Sequence, residues 1–172
     1  MLSRRHLLLT AGALGMAATT LGVLPRLANS QARPAEDDAA GTFEVSHSDA
    51  QWRQQLTAEQ YQVLRHEGTE RPYSSPLNDE HRTGTFACAG CQLPVFASAT
   101  KFDSHTGWPS FWAPLEQAVG QRTDTAYGML RTEVHCRRCG GHLGHVFDDG
   151  PAPTGLRYCM NGAAMTFTAT PA

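Results

Sequence analysis

The segment Arg157-Tyr158-Cys159-Met160-Asn161-Gly162 places a lone cysteine between an arginine two residues before it and an asparagine two residues after it. The chain has five cysteines, and the other four form two pairs, Cys88-Ala-Gly-Cys91 and Cys136-Arg-Arg-Cys139. A two-residue spacer turns both thiolates to one side of a tight loop, so two such knuckles supply the four sulfurs of a tetrahedral zinc site. Residues 92–135 separate the pairs, so a shared ion would clamp strands distant in sequence and couple metal binding to folding. Two other chemistries use the same residues. In an exported chain the four cysteines can form two disulfides. One CxxC can also serve as a redox centre, although that motif belongs in a βαβ setting and no such pattern is present.

With four thiols given to a metal, Cys159 has no partner and is either buried and inert, paired between molecules, or reactive. Its neighbours favour reactivity. On a strand, side chains two apart share a face, so Arg157 lies beside the sulfur and favours thiolate over thiol. Asn161 projects the same way with amide donors and an acceptor. Upstream, His142 and His145 are three apart in Gly141-His-Leu-Gly-His-Val-Phe. They serve either as structural or metal-binding imidazoles or as proton donors. A thiolate, a guanidinium, an amide and two imidazoles make up a nucleophile with a general acid. Trp108, Phe111 and Trp112, in His105-Thr-Gly-Trp-Pro-Ser-Phe-Trp112, supply either core or an apolar wall for a small hydrophobic group.

The elements that must hold these residues are short. Ser48-Asp-Ala-Gln51 and Thr57-Ala-Glu-Gln60 read as two capping boxes, each opening a short helix with one apolar edge, and Gly68 as the C-cap of the second. From Thr83 onward the apolar runs are brief, alternating or rich in β-branched and aromatic residues, and punctuated by Gly, Pro and Asp. This predicts a mainly β body of antiparallel strands. No internal repeat of 20–50 residues is visible.

The first 32 residues differ from the rest. Arg4 and Arg5 precede a Leu/Ala/Gly/Thr-rich stretch with no fixed charge until Arg26, followed by small residues at Ser30 and Ala32. That layout suits a twin-arginine-type signal for export of folded protein, with a permanent membrane anchor as the alternative. Export in the folded state would carry zinc already bound into an oxidising compartment such as the periplasm. Residues 33–47 read as a polar linker or mobile arm, and 48–170 as one domain. The formal net charge is −2. Loss of residues 1–32 removes three of the 14 basic residues and none of the 16 acidic ones, leaving −5. Neither value suits nucleic acid or an anionic membrane surface as a partner, and contact with the membrane is expected only during export.

Taken together, Gln60-to-Tyr73, the two CxxC knuckles, Lys101-to-Trp112, Glu133-to-Pro151 and Thr154-to-Gly162 resemble the B-type methionine sulfoxide reductases. The resemblance runs from about Trp52 to Phe167. It implies two antiparallel sheets in a tent- or barrel-like body with short N-terminal helices and a structural four-cysteine zinc site. It implies Cys159 as nucleophile, surrounded by Arg157, His142, His145 and Asn161, with Trp108, Val146 and Phe147 binding the substrate. Methionine sulfoxide has two epimers, each with its own reductase family, and the resemblance implies the R epimer, mainly in proteins or peptides. A thioredoxin-like or other thiol would supply electrons to what is expected to be a monomer. Many members carry a resolving cysteine directly before Gly-Trp-Pro-Ser, where this chain has Thr106. The expectation is therefore that no internal disulfide forms during turnover. Gly162 replaces the family's usual serine, which is expected to have little consequence beyond a looser loop. A non-catalytic zinc-binding module and a CxxC thiol-disulfide oxidoreductase are the competing readings.

Overall fold

The computed structural model describes residues 43–171, so the signal-like segment lies outside the described residues. Helix α1 (Asp49–Gln55) and helix α2 (Ala58–His66) open on the two capping boxes. The Ser48 hydroxyl accepts from the Gln51 amide while the Gln51 side chain accepts from the Ser48 N–H, and Thr57 and Gln60 repeat the exchange. These reciprocal bonds satisfy N–H groups that a helix start leaves without partners. The helices bury Trp52, Tyr61, Val63 and Leu64 against the body. At the end of α2 the left-handed residue is Glu67 (φ 55°), not Gly68. Gly68 instead donates to the Gln62 carbonyl at 3.0 Å. A Cβ there would stand 2.9 Å from that oxygen, so the glycine is needed for close approach rather than for handedness.

Nine strands follow: β1 (Gly84–Cys88), β2 (Pro94–Ala97), β3 (Lys101–Phe102), β4 (Ser110–Phe111), β5 (Val119–Asp124), β6 (Arg131–Cys136), β7 (His142–Phe147), β8 (Arg157–Met160) and β9 (Met165–Ala169). All pair antiparallel, in one sheet ordered β2-β1-β9 and another ordered β3-β4-β8-β7-β6-β5. The mainly β, two-sheet expectation therefore holds. Aromatic rings join the sheets: Phe86 on β1 meets Phe111 on β4 edge-on at 5.0 Å, and Phe96 on β2 stacks on Phe111 at 4.3 Å. Phe86, Phe96, Phe111, Val134, Leu143 and Met160 are fully buried in this core. No helix among the described residues is long and apolar enough to cross a membrane.

The described part of the expected linker is not a free arm. The Phe43 ring packs edge-on against His135, Val45 N–H bonds the Arg138 carbonyl at 3.0 Å, and His47 meets Trp52 at 4.6 Å. A side chain at Gly140 (φ 66°) would run into the Phe43 ring. The folded body therefore begins by residue 43, because a polar stretch with a few well-spaced aromatic and β-branched residues can still dock.

Candidate active site

The knuckles of the four paired cysteines are built alike. Gln92 N–H closes on the Cys88 carbonyl and Gly140 N–H on the Cys136 carbonyl, both at 2.8 Å, and both closing residues are left-handed. One knuckle ends β1 and the other ends β6, so the cluster joins the two sheets. Cys88 and Cys139 sulfurs lie 3.7 Å apart, Cys91 and Cys136 3.4 Å, and all four fall within 4.8 Å of one another. A tetrahedron with Zn–S bonds of about 2.3 Å has edges of about 3.8 Å, so the donor set fits zinc. Four thiolates this close repel strongly, and a divalent cation among them removes that cost. The expected metal ligands thus converge on one point, which two independent disulfides would not require.

Cys159 sits on a different line of residues. The registers Arg122↔Glu133, Glu133↔His145, His145↔Cys159 and Cys159↔Ser110 form one transverse row across β5, β6, β7, β8 and β4. Directly opposed residues share a sheet face, so a carboxylate, an imidazole and a thiol are brought side by side. Arg157 is on the same face as Cys159, as period two requires. Its guanidinium lies 4.5 Å over the Phe147 ring and makes two 2.8 Å bonds to the Asp149 carboxylate.

A regular strand would put His142 and His145 on opposite faces, since their spacing is odd. The β6–β7 register shifts after Val134↔Gly144 so that His135 faces His142, leaving Leu143 as an extra residue. This bulge turns both imidazoles to one side, with ring centroids 5.3 Å apart. Each is held by its own carboxylate through the opposite nitrogen. His142 Nδ1 lies 2.7 Å from Glu133, and His145 Nε2 lies 2.8 Å from Asp124. These bonds leave His142 Nε2, which is buried with no hydrogen-bond partner, and His145 Nδ1 as the free nitrogens. Burial pushes the His145 pKa down against the pull of Asp124, so its neutral form dominates at neutral pH. Asp124 is lowered to about 2 by the Ala126 N–H, His145 and Arg131.

Burial pushes the Cys159 thiol up, and the Thr106 and Ser110 hydroxyls and Arg157 offset that only in part. The sequence expectation that Arg157 would leave Cys159 as thiolate therefore meets a stronger opposing effect. Desolvation penalises the charged sulfur, and Asp149 already draws on the arginine. Thr106 Oγ1 is 3.9 Å from the sulfur and is bonded to Ser104, which bonds Ser110.

A cavity of about 190 Å³ opens on this row, lined by Thr69, Trp108, Arg131, Gly144, His145, Phe147, Cys159 and Asn161. Gly144 is required there, because a Cβ would overlap the Cys159 carbonyl. The Trp108 indole N–H donates to the Glu70 carbonyl at 3.2 Å. Asn161 lies just beyond β8 rather than on it. Its Oδ1 accepts from the Glu70 N–H and its Nδ2 donates to the Leu143 carbonyl, so much of its hydrogen-bonding capacity goes to backbone. Of the expected substrate-binding residues, Trp108 and Phe147 line this cavity. Val146 does not: it alternates with His145 and Phe147 to the opposite face, paired with Tyr158. There it lines a larger groove of about 560 Å³ with Gln121, Thr123 and Leu156, which has no thiol or imidazole. Phe111 belongs to the core.

The SelR domain model matches residues 56–169, most of the described body. The chain is 57% identical over 121 residues to the peptide methionine sulfoxide reductase MsrB of Thiobacillus denitrificans, covering 70% of this chain and 92% of that protein. It is 55% identical over 124 residues to the protein of the same name from Agrobacterium fabrum (72% and 92%), and 49% over 126 residues to that of Leptospira interrogans (73% and 96%). The chain belongs to the SelR-domain family of MsrB-type methionine sulfoxide reductases.

Within this SelR domain, the supports of the site are not legible in the sequence. Glu133 holds His142, Asp124 holds His145, Asp149 holds Arg157, Glu70 holds Trp108 and Asn161, and Ser110 faces Cys159. Arg131 and Ser104 act one bond further out, on Asp124 and on Thr106 and Ser110. Apart from Glu133, none sits at a spacing that announces it. The alternation Arg131-Thr-Glu-Val-His-Cys136 does put Glu133 in phase with Arg131, which is a signal once the strand is accepted. Gly162 is also explained. Its N–H donates to Glu70 at 2.6 Å, and the Ser75 side chain fills the space a Cβ would need. The loop is pinned rather than loosened, in keeping with the expectation that glycine here has little consequence.

Proposed function

We propose that this chain reduces the R epimer of methionine sulfoxide, mainly in proteins and peptides, with Cys159 as nucleophile. The observation that carries the reading is the convergence of Cys159, His145 and Trp108 on one small cavity, with no other cysteine lining it. A sulfoxide sulfur is electrophilic, but its oxygen leaves only when protonated. Cys159 attacks the sulfur, an S–S bond forms transiently, the oxygen takes up the proton that the thiol gives up, and the resulting hydroxyl passes to Cys159 as the substrate's S–O bond and the S–S bond break. The sum is thiol plus sulfoxide giving cysteine sulfenic acid plus thioether. Neutral His145, directly across the strand pair, suits relay of that proton, and His142 Nε2 is a second buried site for it. Such acid–base help is worth on the order of 10²–10⁴ in rate. Trp108 and Phe147 offer an apolar wall to the S-methyl group, and Arg157 steadies charge at the sulfur.

Turnover by an external thiol through a mixed disulfide is part of the proposal. Thr106 cannot resolve the sulfenic acid, and the paired cysteines are committed to one cluster, for which we propose a structural zinc ion. When bound, zinc supplies cross-linking and no redox chemistry. Export by way of residues 1–32 also belongs to this reading, with cell fractionation as its check.

The deciding experiment reduces defined R- and S-sulfoxide peptides with dithiothreitol, comparing wild type with Cys159→Ser. Reduction of the R peptide alone, abolished in the variant, is the expected result. Activity surviving in Cys159→Ser, or equal turnover of both epimers, overturns it.

A further inference from the structure

Glu70 lies in the segment between α2 and β1 and is buried, with 6% of its surface exposed. No reacting atom touches it, yet it makes four hydrogen bonds to the parts that shape the cavity. Its carbonyl accepts from the Trp108 indole at 3.2 Å, and its N–H donates to Asn161 Oδ1 at 3.0 Å. Its carboxylate bridges the chain just past Cys159, Oε1 taking the Gly162 N–H at 2.6 Å and Oε2 the Ala163 N–H at 2.7 Å. Burying a carboxylate is costly, and the cost shows in a pKa pushed up by desolvation against those two N–H bonds. The carboxylate takes the first two N–H groups of the short 3₁₀ segment Gly162–Ala164, whose own N-cap Asn161 makes no side-chain cap bond. The bonds do have a geometric result. The carboxylate locks Glu70 to the β8–β9 turn, the Glu70 N–H locks it to Asn161, and through its carbonyl the same residue sets the position of the indole. Two walls of a cavity of about 190 Å³ are thus referenced to one residue.

We propose that Glu70 is a positioning residue that sets the width of the cavity between Trp108 and Asn161, and so its selectivity for a methyl group over larger groups on the sulfoxide sulfur. The proposal rests on the reading that Trp108 packs the S-methyl. Glutamine at this position has the same shape but one acceptor and one amide donor, so its NH₂ faces a backbone N–H, donor against donor. The segment must then shift, and the indole shifts with it. Aspartate keeps both acceptor oxygens on a shorter arm. Trp108→Phe removes the N–H that Glu70 holds while keeping an aromatic wall.

The test measures kcat/KM for paired methyl and ethyl sulfoxide substrates, alongside the rate at which iodoacetamide alkylates Cys159. In wild type, a well-fitted apolar pocket discriminates one methylene by roughly 10–200-fold. Glu70→Gln should lose most of that ratio, Trp108→Phe should lose a similar part, and Glu70→Asp should retain more of it than Glu70→Gln. Cys159 should alkylate within a few-fold of the wild-type rate in Glu70→Gln and Glu70→Asp, because β4 and β7 hold it. An unchanged methyl-to-ethyl ratio in Glu70→Gln overturns the inference. General unfolding would show instead as alkylation at the faster rate of the denatured chain, because it frees the half-buried thiol. If Glu70→Gln does not fold, the Trp108→Phe ratio decides: retention of the wild-type value refutes the proposal. Wild type that reduces neither sulfoxide would instead refute the function proposed above.

Discussion

Thr106→Cys is the most informative single change, because it puts a second sulfur beside Cys159 in exchange for one methyl and the hydroxyl that bonds Ser104. Thr106 Oγ1 stands 3.9 Å from Cys159 Sγ, and a disulfide needs about 2.05 Å, so a closure of about 2 Å suffices. The longer C–S bond supplies part of it, and the rest requires the loop, which Tyr73 holds through the His105 and Gly107 carbonyls, to shift toward the sulfur. After one turnover without reductant, the Cys159 sulfenic acid should condense with the new thiol and release water. The variant should then carry an internal disulfide, whereas the parent chain should carry a sulfenic acid that dimedone traps. The cross-link would close a loop between residues 53 apart. Chain-entropy reasoning gives such a loop about 4 kcal/mol, or about 10–15 °C in melting midpoint for a domain of this size. Mass spectrometry after a single turnover, and melting with and without dithiothreitol, read both effects. A variant that traps with dimedone as fully as the parent, and melts alike under both conditions, would refute the placement of Thr106 against Cys159 or the sulfenic acid itself.

Four further outcomes are expected. Arg157→Met removes a cation that favours the Cys159 thiolate, so the thiol pKa rises further and the alkylation–pH curve moves to higher pH. A curve displaced by about one pH unit means alkylation about tenfold slower at neutral pH, and an unmoved curve would show that Asp149 already cancels the arginine. Cys136→Ser takes one of four converging sulfurs, so the purified protein should lose bound zinc and melt roughly 10 °C lower or more; unchanged metal content would contradict a shared site. Asp124 has its pKa depressed from 3.8 to about 2, so the stability it adds is complete above its ordinary pKa and lost as pH falls toward 2. An acid titration of Asp124→Asn should lack that component. Thr57→Ala should cost about 1 kcal/mol through loss of the α2 cap, measured by urea unfolding, while leaving turnover unchanged.

Residue order alone carries the local chemistry. Two capping boxes start helices where the pattern places them, and brief alternating runs become β1, β2, β6, β7, β8 and β9. Two CxxC knuckles fold as matched turns, and Arg157 shares a face with Cys159, because these features depend only on near neighbours and on the period of a strand. Strand β5, Val-Gly-Gln-Arg-Thr-Asp, is silent in the pattern because an edge strand with much exposed surface carries little apolar signal. Everything that joins distant segments needed the folded chain. Antiparallel register aligns Arg122, Glu133, His145, Cys159 and Ser110 in one row, and a one-residue bulge brings His142 to the side of His145. The same alternation sends Val146 to the opposite face. The ionisation of Cys159 is likewise beyond local reading: a nearby arginine is written in the chain, but the desolvation that opposes it comes from groups that only folding packs around the sulfur.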